Sequence, residues 1–98
     1  MKQWFHYLDK AFENKIRLGL MSLLMIEDAV DFNTLKESLE ITDGNLASHL
    51  KNLEKLEYIV VQKEFVGRKP RTTYSATANG KKAFQMHIEA LEKFLKER

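Results

Sequence analysis

The sequence predicts a mainly α-helical chain with a small antiparallel β-hairpin and additional helices at both ends. Three observations carry that expectation. Apolar residues recur every three or four positions through the first 57 residues, as in helices that bury one face. From Tyr58 the composition changes to β-branched and aromatic residues on both sides of a turn. From Thr77 the helical period returns and continues toward the end of the chain.

Trp4, Phe5, Leu8 and Phe12 are spaced as in a short opening helix. A second helix is expected from about Asn14, with Ile16, Leu20, Leu23 and Leu24 on one face, ending in the acidic stretch Glu27-Asp28-Ala29-Val30-Asp31. Asn33 is the expected N-cap of a third helix that buries Leu35 and Leu39 and stops near Glu40. Ile41-Thr42-Asp43-Gly44 reads as a tight turn with Thr42 as the next cap. The fourth helix is expected to reach about Glu57, with Leu46, Leu50, Leu53 and Leu56 pointing inward. Two helices joined by so short a turn, about residues 34–57, have the spacing of a helix-turn-helix.

Residues 58–76 then read as a hairpin turning at Gly67-Arg68-Lys69-Pro70. Glycine permits a positive φ there, and proline is unsuited to a central strand. Thr77 is the expected cap of a last helix over about 78–97, with Phe84, Ile88, Leu91 and Leu95 on one stripe.

With 98 residues, 44% hydrophobic and 31% charged, the chain is expected to form a single domain over 1–98. It has no cysteine, which excludes disulfides, Cys-ligated zinc and thiol chemistry. The longest apolar run, 18–26, is too short to cross a bilayer, and Met1-Lys2-Gln3-Trp4 leads into no signal-type segment. A cytoplasmic protein without membrane contact is therefore expected. No paired carboxylates, nucleophile–base pattern or phosphate loop suggests an enzyme, and no cofactor is expected. His6, His87 and Glu89 are too scattered to suggest a metal site.

The net charge of +2 conceals an uneven distribution. Residues 1–57 carry seven Lys/Arg against ten Asp/Glu, whereas 58–98 carry nine against four. Lys63, Arg68, Lys69, Arg71, Lys81 and Lys82 concentrate the positive charge in and just after the hairpin.

At 100° per residue, Leu46, Leu50 and Leu53 define the inner side of the fourth helix. Gly44, Ala47, Ser48, Lys51 and Lys55 fall opposite, with Asn45 and Asn52 at the margin and His49 beside the buried arc. A major groove admits a helix whose outer face is small and polar. Gly44 and Ser48 allow close approach, Asn45, Ser48 and Asn52 suit base edges or phosphates, and Lys51 and Lys55 suit phosphates. Arg68, Lys69 and Arg71 at the hairpin tip suit an adjacent minor groove or its phosphates. Double-stranded DNA is the partner this combination predicts.

Several phrases resemble the winged helix-turn-helix transcriptional regulators of the ArsR/MarR-like superfamily, the arsenic-repressor and multiple-antibiotic-resistance-repressor types. Arg17-Leu18 followed by Leu23-Leu24 resembles their Arg-Leu…Leu-Leu helix, and Phe32-Asn33-Thr34-Leu35-Lys36-Glu37-Ser38-Leu39 their first helix-turn-helix helix. Ser48-His49-Leu50…Leu53 resembles their recognition helix. Gly67-Arg68-Lys69-Pro70-Arg71-Thr72-Thr73-Tyr74 resembles the wing, and Thr77-Ala78-Asn79-Gly80 the Thr-x-x-Gly opening the last helix. Ala76 stands where many relatives have leucine, and the groove-facing surface carries no arginine.

The resemblance implies a winged helix-turn-helix fold, a recognition-helix role for Gly44, Asn45, Ser48, His49 and Lys51, and a wing role for Gly67, Arg68, Lys69 and Arg71. Thr42, Asn52 and Lys55 on the helix and Thr72 on the wing are expected to join the same DNA-binding surfaces. A homodimeric repressor is expected, paired through the terminal helices. Its interface would use Trp4, Phe5 and Leu8, whose destination within the chain is not obvious from sequence, with Phe84, Ile88, Leu91, Phe94 and Leu95. The cluster of Trp4, Phe5 and Tyr7 permits a small aromatic effector of the kind bound by multiple-antibiotic-resistance relatives. The alternative reading is a winged helix that binds protein rather than specific DNA.

Overall fold

The computed structural model describes residues 3–96. It opens with two 3₁₀ segments, Gln3–Tyr7 and Lys10–Glu13, where the sequence suggests one helix. The break falls at Asp9. Its N–H donates to His87 Nδ1 at 2.8 Å, and its carboxylate accepts from the Ala11 N–H and the Tyr58 hydroxyl. Burial and the Asp9 carboxylate push the Tyr58 pKa up to about 12, so the phenol remains a donor at neutral pH. Phe12 packs beneath this knot, stacked on Tyr58 and edge-on to Phe84.

Helix α1 (Lys15–Ile26) begins where Asn14 accepts from the Ile16 and Arg17 N–H groups. Helix α2 (Phe32–Leu39) is capped by Asp31 rather than by Asn33. Strand β1 (Val30–Asp31) holds Asp31 extended, opposite Thr73, so the first helical residue is already Phe32. The Asp31 carboxylate accepts from the Thr34 N–H and hydroxyl. The Thr34 hydroxyl, aided by the positive charge of Arg71, outweighs the effect of burial and holds the Asp31 carboxyl below its ordinary range.

Helix α2 closes on Glu40, a left-handed residue (φ 52°) whose N–H returns to the Lys36 carbonyl. Thr42 then caps α3 (Asp43–Lys55), accepting from the Asn45 N–H at 3.2 Å. An ion pair of 2.8 Å between Lys36 and Asp43 spans the turn. The end of α3 corrects one expectation: Leu56 is 44% exposed, because the chain has left the helix and reverses at left-handed Glu57.

Strands β2 (Ile59–Val66) and β3 (Lys69–Ala76) form the expected hairpin, with Ile59 opposite Ala76 and Val66 opposite Lys69. Strand β1 adds to the far edge of β3, making a three-stranded antiparallel sheet in the order β1-β3-β2. The last helix, α4 (Ala78–Lys96), starts at Thr77, whose hydroxyl oxygen accepts from the Gly80 N–H at 2.9 Å. Residue 97, where the sequence reading closes this helix, lies outside the described residues.

Leu20, Met21 and Leu24 from α1 meet Leu35 from α2 and Leu46, Leu50 and Leu53 from α3 in a core roofed by Ile59 and Phe84. Each of these leucines contributes roughly 1.5–3 kcal/mol of burial. The stripe on α4 leaves this core partway along: Phe84 is buried, Ile88 is partly buried, and Leu91 and Leu95 are open. The first 3₁₀ segment lies along α4, and Trp4 meets the Phe94 ring at 5.3 Å. Trp4 therefore has a partner within its own chain, which its sequence position did not suggest. Among the described residues no helix is long and apolar enough to cross a membrane.

Candidate nucleic-acid interface

Three leucines fix the rotation of α3 about its own axis. With Leu46, Leu50 and Leu53 buried, Gly44, Asn45, Ala47, Ser48, Lys51, Asn52 and Lys55 are all exposed. A Cβ built on Gly44 would touch nothing of the protein, so the space before the first turn is clear. The side-chain oxygen of Thr42 is engaged in capping, which organises the helix start.

His49 differs from its neighbours. Its ring is half-buried, and Nδ1 lies 3.1 Å from Nη1 of Arg17 on α1. Burial and the Arg17 charge both hold the imidazole below its ordinary pKa of 6.5. In the sequence Arg17 stands out only as part of the Arg-Leu…Leu-Leu helix pattern. Its link to His49 spans 32 positions and leaves no local signal.

The hairpin projects from the domain. In β2 only Ile59 is buried, and every residue from Val60 to Val66 is exposed, a ribbon of about 23 Å at strand rise. Gly67 takes φ +67° at its tip, a conformation that favours glycine. Arg68, Lys69 and Arg71 are exposed around that turn, and Thr72 is partly covered. An open cleft of about 480 Å³ separates the hairpin from the start of α2, lined by Phe32, Asn33, Lys63, Arg71 and Thr72 among others. Lys63, one of the cations the sequence concentrates in the hairpin, thereby joins the surface around the wing together with Asn33, which the sequence marks only as a helix cap.

The residues expected at a dimer interface divide into two groups. Phe84 is only 8% exposed and packs against Phe12 in the protein's own core. Phe5, Tyr7, Leu91, Phe94 and Leu95 are each left 40–54% open. Trp4, Leu8 and Ile88 are partly covered. A small cleft of about 140 Å³ lies between Trp4, Tyr7, Met86, Glu89, Ala90 and Lys93.

A helix-turn-helix packed on a preceding helix, with a cationic hairpin projecting after it, defines the winged-helix class of DNA-binding transcription regulators. Residues 16–95 match the winged helix DNA-binding domain family, and the chain belongs to that family. It is 35% identical over 79 residues to an uncharacterized protein of Methanocaldococcus jannaschii, covering 81% of this chain and 86% of that one. It is similar in fold to the transcriptional regulator homologue protein from Pyrococcus horikoshii OT3, with a TM-score of 0.88 at 24% identity over 99% of this chain and 97% of that one. A chain of Porphyromonas gingivalis W83 described as a MarR-family transcriptional regulator matches with a TM-score of 0.64 at 25% identity, covering 91% and 85% of the two chains. The ArsR/MarR-like resemblance in the sequence agrees with these matches.

Proposed function

We propose that this regulator binds specific duplex DNA sequences as a homodimer, with α3 in the major groove and the wing on the flanking minor groove or its phosphates. The observation that carries this reading is the outer face of α3. It is small, polar and open from Gly44 to Lys55, and a ribbon tipped by Arg68 and Lys69 follows it in the chain. Asn45, Ser48 and Asn52 have the donors and acceptors to read base edges, and Lys51 and Lys55 neutralise phosphates. The wing adds Arg68, Lys69 and Arg71, with Gly67 shaping the tip and Thr72 at its base.

The exposed apolar side chains of the terminal elements, Phe5 and Tyr7 near the start and Leu91, Phe94 and Leu95 on α4, support a twofold pairing of those elements. Trp4, Leu8 and Ile88 lie at the edge of that pairing. Such a dimer sets two α3 helices about one DNA turn apart and represses by covering a promoter. The cleft between Trp4 and Met86 is the place it offers a small aromatic effector.

Selection from a random duplex library tests the reading. The expected product is a pseudo-palindrome with half-sites about 10 base pairs apart. Failure to enrich any sequence contradicts it. Sedimentation gives a dimer at tens of micromolar on this account, and a monomer there removes the twofold arrangement.

A further inference from the structure

Arg17 leaves α1 toward both the N-terminal segment and α3. Its Nε donates to the Ala11 carbonyl at 2.7 Å, while Nη1 lies 3.1 Å from His49 Nδ1. A guanidinium offers donors only and keeps its proton in proteins. Nδ1 must therefore be the bare, accepting nitrogen, and the ring proton of neutral His49 resides on Nε2. Nε2 has no hydrogen-bond partner among the described residues. No buried side-chain nitrogen or oxygen among those residues lacks a partner, so Nε2 opens to solvent.

At 100° per residue His49 stands beside Asn45 and Asn52, on the margin of the face that α3 turns outward. We infer that Arg17 is a positioning residue for DNA recognition, locking His49 in its Nε2–H tautomer and presenting that N–H as an obligate donor to the duplex. The inference rests on the DNA-binding reading above and adds a specificity device to it.

The chemistry of the device is directional. A neutral imidazole free to change tautomer offers its exposed nitrogen as donor or acceptor. One fixed by Arg17 can only donate. It donates to guanine N7 or O6, adenine N7, thymine O4 or a phosphate oxygen, and it opposes the amino group of cytosine. The outer face of α3 carries no arginine, so this N–H is its directed donor toward purine edges at the helix margin. Because the same guanidinium holds the Ala11 carbonyl, a lysine cannot replace it: one ammonium is too compact to serve both acceptors in that fork geometry.

Two measurements on the full-length protein test the inference. Long-range proton–nitrogen NMR of the imidazoles, recorded without DNA at neutral pH, is expected to place the His49 proton on Nε2 alone. In Arg17→Met, folded as judged by its thermal melt, that single-tautomer signature is lost. A proton on Nδ1 in the wild type overturns the inference. The second measurement uses the duplex recovered by selection. His49→Gln carries an amide nitrogen to where Nε2 stood and retains affinity within a few-fold. His49→Asn reaches only the Nδ1 position and loses about tenfold per half-site, the scale of one hydrogen bond, and about a hundredfold on the full two-half-site duplex. Equal binding by His49→Asn and wild type overturns the inference while leaving DNA binding intact. A selection that recovers no duplex removes the DNA-binding reading and this inference with it.

Discussion

Gly80 lies so close to Tyr58 that a Cβ on it would stand 2.0 Å from the Tyr58 carbonyl oxygen. That oxygen also accepts the Thr77 N–H at 3.0 Å, and the Thr77 hydroxyl donates to the Glu57 carbonyl at 2.7 Å. The first turn of α4 is thus fastened to the chain reversal that ends α3 and begins the wing. The Thr-x-x-Gly phrase has a physical reason here: threonine caps the helix and ties it down, and glycine leaves room for the crossing backbone.

Replacing Gly80 with alanine is expected to cost about 3 kcal/mol, because the atom in the way is backbone and cannot rotate aside. Thr77→Ala loses the cap and the tie and costs about 1–2 kcal/mol. Thermal melts check both. A Gly80→Ala protein that melts with the wild type contradicts the close approach.

Asp31 and Asn33 give a sharper local test. Asp31→Ala removes the cap of α2 and its bonds to Thr34, at an expected cost of about 1 kcal/mol. Asn33→Ala is exposed within the first turn and is expected to change stability by less than about 0.5 kcal/mol. Chemical denaturation of the two variants separates them. The reverse order would restore Asn33 as the cap.

His49 supplies a pH dependence. Burial first, and the Arg17 charge second, depress its folded pKa below 6.5. The unfolded chain therefore takes up a proton near 6.5 that the folded chain resists. Stability from this group is complete above that pH and is lost as the pH falls through the folded value. The NMR titration midpoint of His49 is expected below 6.5, moving upward in Arg17→Met. A midpoint at or above 6.5 in the wild type contradicts the contact.

Much of this architecture is legible from local chemistry. Helix α3 shows itself through Leu46, Leu50 and Leu53 at helical spacing and through Thr42, a capping residue immediately before them. The hairpin shows itself through β-branched runs flanking Gly67 and Pro70. What stayed hidden depends on distant partners. Strand β1 is two residues long, too short to alternate, and exists because Val30 and Asp31 meet Tyr74 and Thr73. That pairing also moves the α2 cap from Asn33 to Asp31, two residues equally suited to capping. Four apolar positions cannot distinguish one opening helix from two 3₁₀ segments, and the break at Asp9 is set by His87, 78 positions away.

The outward face of α3 is legible because helical geometry alone dictates what lies opposite three leucines. The Arg17–His49 pair is not, since it joins separate helices. The stripe on α4 was readable as apolar, but which part closes the core depends on where the domain ends. Phe84 falls inside it and Leu95 beyond it.

The roles of the wing and of α3 in DNA binding separate by substitution. Asn45→Ala or Ser48→Ala is expected to change the base preferred at one or two positions per half-site, at about 1–3 kcal/mol for a lost bidentate contact of Asn45 and about 1 kcal/mol for a single hydrogen bond of Ser48. Repeating the selection with each variant checks this. An unchanged site assigns base reading to other residues.

The most direct test of the central claim is duplex affinity measured across a salt series for the wild type and for a double variant, Arg68→Ala with Lys69→Ala. Phosphate neutralisation predicts that log affinity falls linearly with log salt, and that the slope shrinks by about two per protomer, about four for the dimer, in the double variant on every sequence. Affinity insensitive to salt, or a double variant with the wild-type slope, would contradict a DNA-gripping wing.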